Sequence, residues 1–204
     1  MPVTSSIAAV ALLGALVGLA LERVAALLSD QQPPLGSRAA ASAAVTGGVA
    51  PPLALSARSP TEFILAAALL AVLFVAALTD LETRRIPNRL TVAGLVLVIT
   101  MTALFQPIFV AERLLFAILA FAFFLAAALV RPGGLGLGDV KLVAVIGAAL
   151  GAASVVAIGL ALLLGALVGL AVALARGWQQ ARDVALPLAP FLAAGSAITL
   201  LFSG

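Results

Sequence analysis

Two aspartates stand out in this sequence because each lies at the edge of a long apolar stretch. Asp80 directly follows the apolar run 63–79, and Asp139 stands between a glycine-rich stretch and the next apolar run. Ionisable groups near membrane depth are costly, so they indicate function by default. Two carboxylates brought close together cannot both ionise cheaply, so they share one proton. One then serves as a base that activates water and the other as an acid that polarises a carbonyl, which is the chemistry of amide hydrolysis.

Each aspartate alone also has a structural interpretation. Asp139 would favour the N-terminus of the helix that follows it, and Asp80 would neutralise Arg84 one helical turn later. The stretch 133–138 has the glycine spacing of a phosphate-binding loop, but Asp139 stands where that loop requires lysine. Gly136 and Gly138 instead remove side chains beside Asp139, which allows an extended peptide or a partner helix to approach the backbone. We therefore favour the chemical interpretation of the pair.

The composition restricts the remaining chemistry. Hydrophobic residues make up 64% of the 204-residue chain and charged residues only 9%, so we predict an integral membrane protein. Because histidine and cysteine are absent, Ser-His and Cys-His nucleophile pairs, haem ligation and the usual zinc or iron–sulfur sites are excluded. We expect neither a metal nor a cofactor. The net charge of +3 comes from scattered residues, so we expect no nucleic-acid partner.

Segments of about 20 apolar residues are long enough to cross a bilayer. We predict an all-α, polytopic transmembrane bundle of seven to eight helices, with apolar segments at 7–28, 63–79, 90–105, 114–130, 140–150, 155–175 and 186–202. The first unit, 1–28, is predicted as a retained helix, since it lacks the basic start of a cleaved signal peptide. Residues 29–61 form either a Pro/Ala-rich loop or a weak, degenerate span. The repeated segment LLGALVGLA, at 12–20 and 163–171, predicts close helix packing through its glycines.

Two predicted helices separate Asp80 from Asp139, so both acids return to the same membrane face. Most arginines and the one lysine lie in the loops of that face, whereas the opposite short loops carry mainly Arg113 with Glu112. The positive-inside rule therefore places the two acids at the cytoplasmic side.

Several residues beside the aspartates are candidates for supporting roles. Arg84 and Arg85 act either as interface anchors or as groups that tune the acid pair or orient a substrate. Pro87 and Asn88 most simply start the next helix. Lys141 can position a substrate, but it is not expected to face Asp139, because residues two apart on a helix point in different directions.

The segments DLETRRIPN, from Asp80 to Asn88, and GLGDVKL, from 136 to 142, together resemble the type IV prepilin peptidases, membrane aspartic proteases of the GxGD class. The stretch ALPLAPFLAAG at 185–195 is similar to that family's C-terminal motif. The resemblance implies that Asp80 and Asp139 are the catalytic pair and that 62–204 is the peptidase transmembrane domain. It is a short form, because residues 29–61 contain no cysteine-rich domain, and N-methylation of the product is therefore not implied.

The resemblance further implies a substrate and a location. The substrate would be a prepilin or a pilin-like pseudopilin, whose leader is removed at the cytoplasmic face of a bacterial inner membrane. The partners would be this substrate and the lipid bilayer, and the oligomeric state is left open. An alternative function is a small ion- or proton-coupled transporter that uses the same acids, although such acids are expected near the membrane midplane on broken helices.

Overall fold

The computed structural model describes residues 3–29, 37–130, 135–177 and 186–202, and these form a bundle of α-helices. Asp30, Arg131, Arg182, Asp183 and the first two glycines of 133–138 lie outside the described residues. The helices are α1 (Val3–Ser29), α2 (Ser37–Ser56), α3 (Pro60–Thr83), α4 (Asn88–Phe105), α5 (Val110–Val130), α6 (Leu137–Leu150), α7 (Ser154–Arg176) and α8 (Ala189–Phe202). Short 3₁₀ turns, Pro107–Phe109 and Gly151–Ala153, precede α5 and α7. The predicted all-α fold is confirmed.

Within the described part of the chain, five helical runs are long and apolar enough to cross a membrane. They are Ile7–Leu27, Pro60–Thr83, Asn88–Phe105, Pro107–Val130 and the continuous stretch Leu137–Arg176, which contains α6 and α7. The last described helix, α8, is apolar but has only 14 residues. These lengths and compositions identify a multi-pass membrane protein.

The segment for which the sequence left two interpretations contains a helix. Helix α2 covers 20 residues and includes Pro51 and Pro52 near its end. A proline in a helix lacks the N–H that would bond to the preceding turn, so a sequence pattern with two of them predicts a helix poorly. Helix α2 is not among the five runs that are apolar enough to span. Residues 37–56 are thus helical, and a membrane span in 29–61 stays a prediction.

The two copies of LLGALVGLA pack differently. In α1, a Cβ atom on Gly14 would lie 2.6 Å from the Ala50 Cβ, and one on Gly18 would lie 2.7 Å from the Ser42 carbonyl oxygen, so only glycine fits against α2. In α7, a Cβ on Gly165 would meet only the Phe191 ring, at 3.5 Å, which is an ordinary contact. The prediction of close packing is confirmed for the first copy and wrong for the second, because side chains rather than a neighbouring backbone face Gly165 and Gly169.

The core lies around α3 and α6, the two helices that carry the predicted acids. Every residue of α6 from 142 to 149 is buried, and Leu69 and Leu73 of α3 are completely inaccessible. Helix α8 packs against both α3 and α7, and its Leu192 is also completely buried. Asp80 and Asp139 are therefore carried by the two most enclosed helices, at the end where α3 finishes and α6 begins.

Candidate active site

Asp80 lies in the last turn of α3 and is only 7% exposed. Its Oδ2 atom accepts a hydrogen bond from the backbone N–H of Ala189, at 3.2 Å. Ala189 is the first residue of α8, whose N-terminal N–H groups have no partner inside the helix. A carboxylate suits this position because the positive end of a helix dipole favours negative charge. The start of α8 therefore fixes one oxygen of Asp80.

Asp139 lies in the first turn of α6, as predicted, and Gly136 precedes that helix as its N-cap residue. A Cβ on Gly136 would lie 3.1 Å from the Asp139 Oδ2 atom, so a side chain there would crowd the carboxylate. The other oxygen, Oδ1, is buried and has no hydrogen-bond partner among the described residues. Buried polar atoms without a partner are rare in folded proteins, and each one calls for an explanation. In the described ranges, the Asp139 Oδ1 atom is one of two buried side-chain atoms of this kind.

The fold brings these two carboxylates together although 58 positions of sequence, from 81 to 138, separate them. They lie close enough for the charge of Asp80 to act on the Asp139 carboxylate. We call this end of the bundle, defined by Asp80, Asn88, Asp139 and Ala189, the site end. The arrangement is one in which two acids can share a proton, although their catalytic role stays a prediction.

The turn between α3 and α4 is locked against the start of α6 at two points. Ile86 is buried and lies directly against Gly138, because a Cβ on Gly138 would be only 3.0 Å from the Ile86 Cβ. Lys141 Nζ donates a hydrogen bond to Asn88 Oδ1, at 2.6 Å. These two contacts hold the segment after Asp80 to the segment that contains Asp139. The glycine before Asp139 thus makes room for a neighbouring residue of the protein itself.

The sequence-predicted supporting residues have different surroundings. Helix α4 begins at this pair as predicted, with Pro87 as its N-cap and Asn88 as its first residue, but no side-chain cap hydrogen bond forms there. The Asn88 side-chain oxygen accepts a hydrogen bond from Lys141 instead. Arg84 and Arg85 are exposed. Arg84 lies close enough to Asp80 for its charge to act on that carboxylate. No group of three or more acidic, cysteine or histidine side chains that could hold a metal occurs in the ranges that the structure describes.

Two contributors to the site were not identified from the sequence. Ile86 is a single apolar residue inside a polar turn and is buried. Its isolated position in the sequence could have indicated that its side chain packs against another part of the protein. The Ala189 contact involves a backbone N–H from a residue 109 positions away from Asp80, so no side-chain pattern could have predicted it.

Comparisons with known proteins agree with these observations. The family model described as the type IV leader peptidase family matches residues 67–174, which include both aspartates. A protein of Bacillus subtilis (strain 168) named prepilin leader peptidase/N-methyltransferase is 34% identical over 152 residues, covering 69% of this chain and 56% of the relative. The chain thus spans about half the length of that curated relative. No solved structure was found to match. Since the family match covers more than half of its length, the chain belongs to the type IV leader peptidase family.

Proposed function

We propose that this protein is a membrane-embedded aspartic endopeptidase that removes leader peptides from type IV prepilins or pilin-like proteins. The observation that carries this proposal is the pairing of Asp80 with Asp139 at one end of the bundle, with the Asp139 Oδ1 atom buried and unpartnered among the described residues. The family membership and the name of the Bacillus subtilis relative support the same activity. The proposed peptidase domain is 62–204.

The two carboxylates supply all the groups that peptide hydrolysis requires. With one proton shared between them, the ionised carboxylate takes a proton from water while the resulting hydroxide attacks the scissile carbonyl carbon. The protonated carboxylic acid donates a hydrogen bond to the carbonyl oxygen, where negative charge develops. Collapse of the tetrahedral intermediate breaks the C–N bond, and the carboxyl group that took a proton from water gives that proton to the departing amine nitrogen. The products are the leader with a free carboxylate and the mature protein with a free amine.

The supporting residues act on the geometry of the pair. Gly136 leaves space for the Asp139 carboxylate, and Gly138 leaves space for Ile86. Lys141 and Asn88 hold α6 to α4 through their hydrogen bond. Pro87 fixes where α4 begins. Arg85 is kept as a candidate for orienting the substrate.

The proposed location is the inner membrane of a bacterium, with the site end at the cytoplasmic face. Arg84, Arg85 and Arg89 are exposed near Asp80, and Lys141 lies beside them. The positive-inside rule favours the cytoplasm for such an end. The proposal is limited to leader removal and does not extend to methyl transfer, because the chain matches only 56% of the bifunctional relative.

The decisive experiment is cleavage of a co-expressed prepilin in membranes by Asp80→Asn and Asp139→Asn. Each substitution keeps the size of the side chain but removes the carboxylate, so we expect cleavage to fall by at least about 1,000-fold. Both variants should remain inserted and reach wild-type levels. Glu112→Gln is the matched control, since it removes one carboxylate near the start of α5, away from the site end. Full processing by either aspartate variant would contradict the proposal.

Ion-coupled transport, the alternative from the sequence, has no structural observation in its favour. Asp80 and Asp139 lie in a last and a first helical turn rather than within broken helices at mid-membrane. Uptake into proteoliposomes that depends on Asp139, with no cleavage of prepilin, would establish transport instead.

A further inference from the structure

The residue directly after α3 has an unusual backbone conformation. Arg84 has φ 52° and ψ 32°, which is the left-handed region, and it is the one non-glycine residue with positive φ in the ranges that the structure describes. Helices commonly end with a residue in this conformation, but that residue is usually glycine or asparagine. A side chain with a Cβ atom is disfavoured there because the Cβ approaches the carbonyl oxygen. The chain therefore holds an arginine at a position that suits glycine.

The backbone of Arg84 does not explain the choice of arginine. Its N–H donates to the Asp80 carbonyl oxygen at 2.9 Å, which closes the last turn of α3. A glycine would make the same hydrogen bond without the strain. Thr83 supports the turn independently, since its hydroxyl lies within hydrogen-bond distance of the carbonyl oxygens of Thr79 and Arg85, at 2.9 and 3.1 Å, and can donate to either. The reason for arginine must lie in its side chain.

Membrane anchoring does not explain this position either. Arg85 and Arg89 are both exposed at the same end, and neither has a positive φ, so they supply positive charge without backbone strain. What distinguishes Arg84 is its place: its backbone N–H bonds to the Asp80 carbonyl oxygen, four residues earlier, and its charge lies near enough to act on the Asp80 carboxylate. Strained residues that persist in a fold are concentrated at functional sites.

We propose that Arg84 is a positioning residue whose charge stabilises the ionised carboxylate of Asp80, and that this charge is retained at the expense of a more stable helix end. The inference rests on the proposed peptidase function. It predicts that stability and activity change in opposite directions when Arg84 is replaced. A residue that fits the left-handed conformation but lacks the charge should give a more stable and less active protein.

The test uses three substitutions of Arg84, each purified in detergent and assayed for melting temperature and for prepilin cleavage. Arg84→Gly and Arg84→Asn relieve the strain and remove the charge, so we expect a melting temperature higher by roughly 2–4 °C and a kcat lower by about tenfold. KM should stay unchanged, because Arg84 acts on Asp80 rather than on the substrate. Arg84→Lys keeps both charge and strain, and should retain most of the kcat with the melting temperature of the wild type.

Arg89→Asn is the matched control. It removes one exposed arginine from the same end of the bundle, where the backbone is helical, and should leave both kcat and melting temperature unchanged. An equal loss of kcat in Arg89→Asn would show that net charge, and not the position of Arg84, matters.

Other results would overturn the inference in distinguishable ways. Wild-type kcat in Arg84→Gly, beside an inactive Asp80→Asn, would remove the role of Arg84 and leave the peptidase function intact. A raised KM with unchanged kcat would make Arg84 a substrate contact instead. Lower melting temperatures in both neutral variants would show that arginine is not held at a conformational cost. A wild-type protein that leaves prepilin uncut would overturn the proposed function, and the inference with it.

Discussion

The two ends of the helix bundle differ in whether their polar side chains have hydrogen-bond partners. At the opposite end, defined by Gln106, Glu112, Arg113 and Ala152, the charged side chains have partners that tie neighbouring helices together. Arg113 donates to the Thr102 hydroxyl at 3.0 Å and to the Gln106 side-chain oxygen at 2.6 Å. Glu112 accepts the backbone N–H of Ala152 at 3.2 Å. At the site end, Asp139 keeps one buried oxygen without a partner among the described residues.

Under the proposed function, this difference separates polar groups that serve the fold from polar groups that serve catalysis. A buried polar atom without a hydrogen bond costs about 1–3 kcal/mol, so selection for stability alone would have satisfied or removed it. The charged side chains of the opposite end have partners, whereas two buried side-chain atoms in the described ranges have none: the Asp139 Oδ1 atom at the site end and the Ser196 Oγ atom within α8. The site end carries an unpartnered oxygen and a strained arginine within one structural unit. Substitutions at the site end should therefore mainly lower activity, and those at the opposite end should mainly lower stability.

Among the substitutions that test this comparison, Gly138→Val at the site end is expected to cause the largest loss of prepilin cleavage. A Cβ here would lie 3.0 Å from the Ile86 Cβ, and a branched side chain would push the turn after α3 away from α6. Because misplacing a catalytic group by about 1 Å costs roughly 100-fold in rate, we expect at least that loss of prepilin cleavage. Gly159→Val is the control, since a Cβ on Gly159 meets nothing within 4 Å. Cleavage at the wild-type rate by Gly138→Val would show that the contact with Ile86 does not position the acids.

Arg113→Met tests the opposite end. The substitution leaves the Thr102 hydroxyl and the Gln106 oxygen without their donor, and hydrogen bonds to a charged group contribute about 1.5–3 kcal/mol. We expect a melting temperature lower by roughly 5 °C and an unchanged kcat, measured in the same detergent. A loss of kcat larger than the loss of folded protein would contradict the division of roles between the two ends.

Removing the hydrogen bond between Lys141 and Asn88 is expected to lower kcat by a smaller factor, because this bond is exposed to solvent. Lys141→Met and Asn88→Ala should each lower kcat by about fivefold, since a surface hydrogen bond to a charged group contributes about 1 kcal/mol. If the two side chains act through this bond, the double variant should be no slower than either single variant. Additive losses would show that Lys141 and Asn88 act separately.

The sequence was sufficient for most helices and for the pairing of the acids. Long apolar runs define helices such as α3 and α5, and the spacing of two helices between Asp80 and Asp139 places both at one end. Helix α2 was ambiguous because alanine, glycine and two prolines weaken both the hydropathy and the helical pattern. The two copies of LLGALVGLA could not be told apart, since their packing depends on what faces them.

The details of the site were harder to predict because they depend on distant parts of the chain. Lys141 was expected not to face Asp139, and the structure shows that it bonds to Asn88, 53 residues earlier. The left-handed conformation of Arg84 has no sequence signal, because glycine or asparagine is the residue that usually marks such a position.

The hydrogen bond from Ala189 makes the order of chain synthesis relevant to activity. Asp80 enters the membrane with α3, but its amide partner lies 109 residues further along and arrives only with α8. At the roughly 5–20 residues per second of protein synthesis, Asp80 waits about 5 to 20 seconds for that partner. A copy that is still being inserted, or one truncated before α8, thus has both aspartates and an unfinished site. Under the proposed function, leader cleavage would require that the last described helix has joined the bundle.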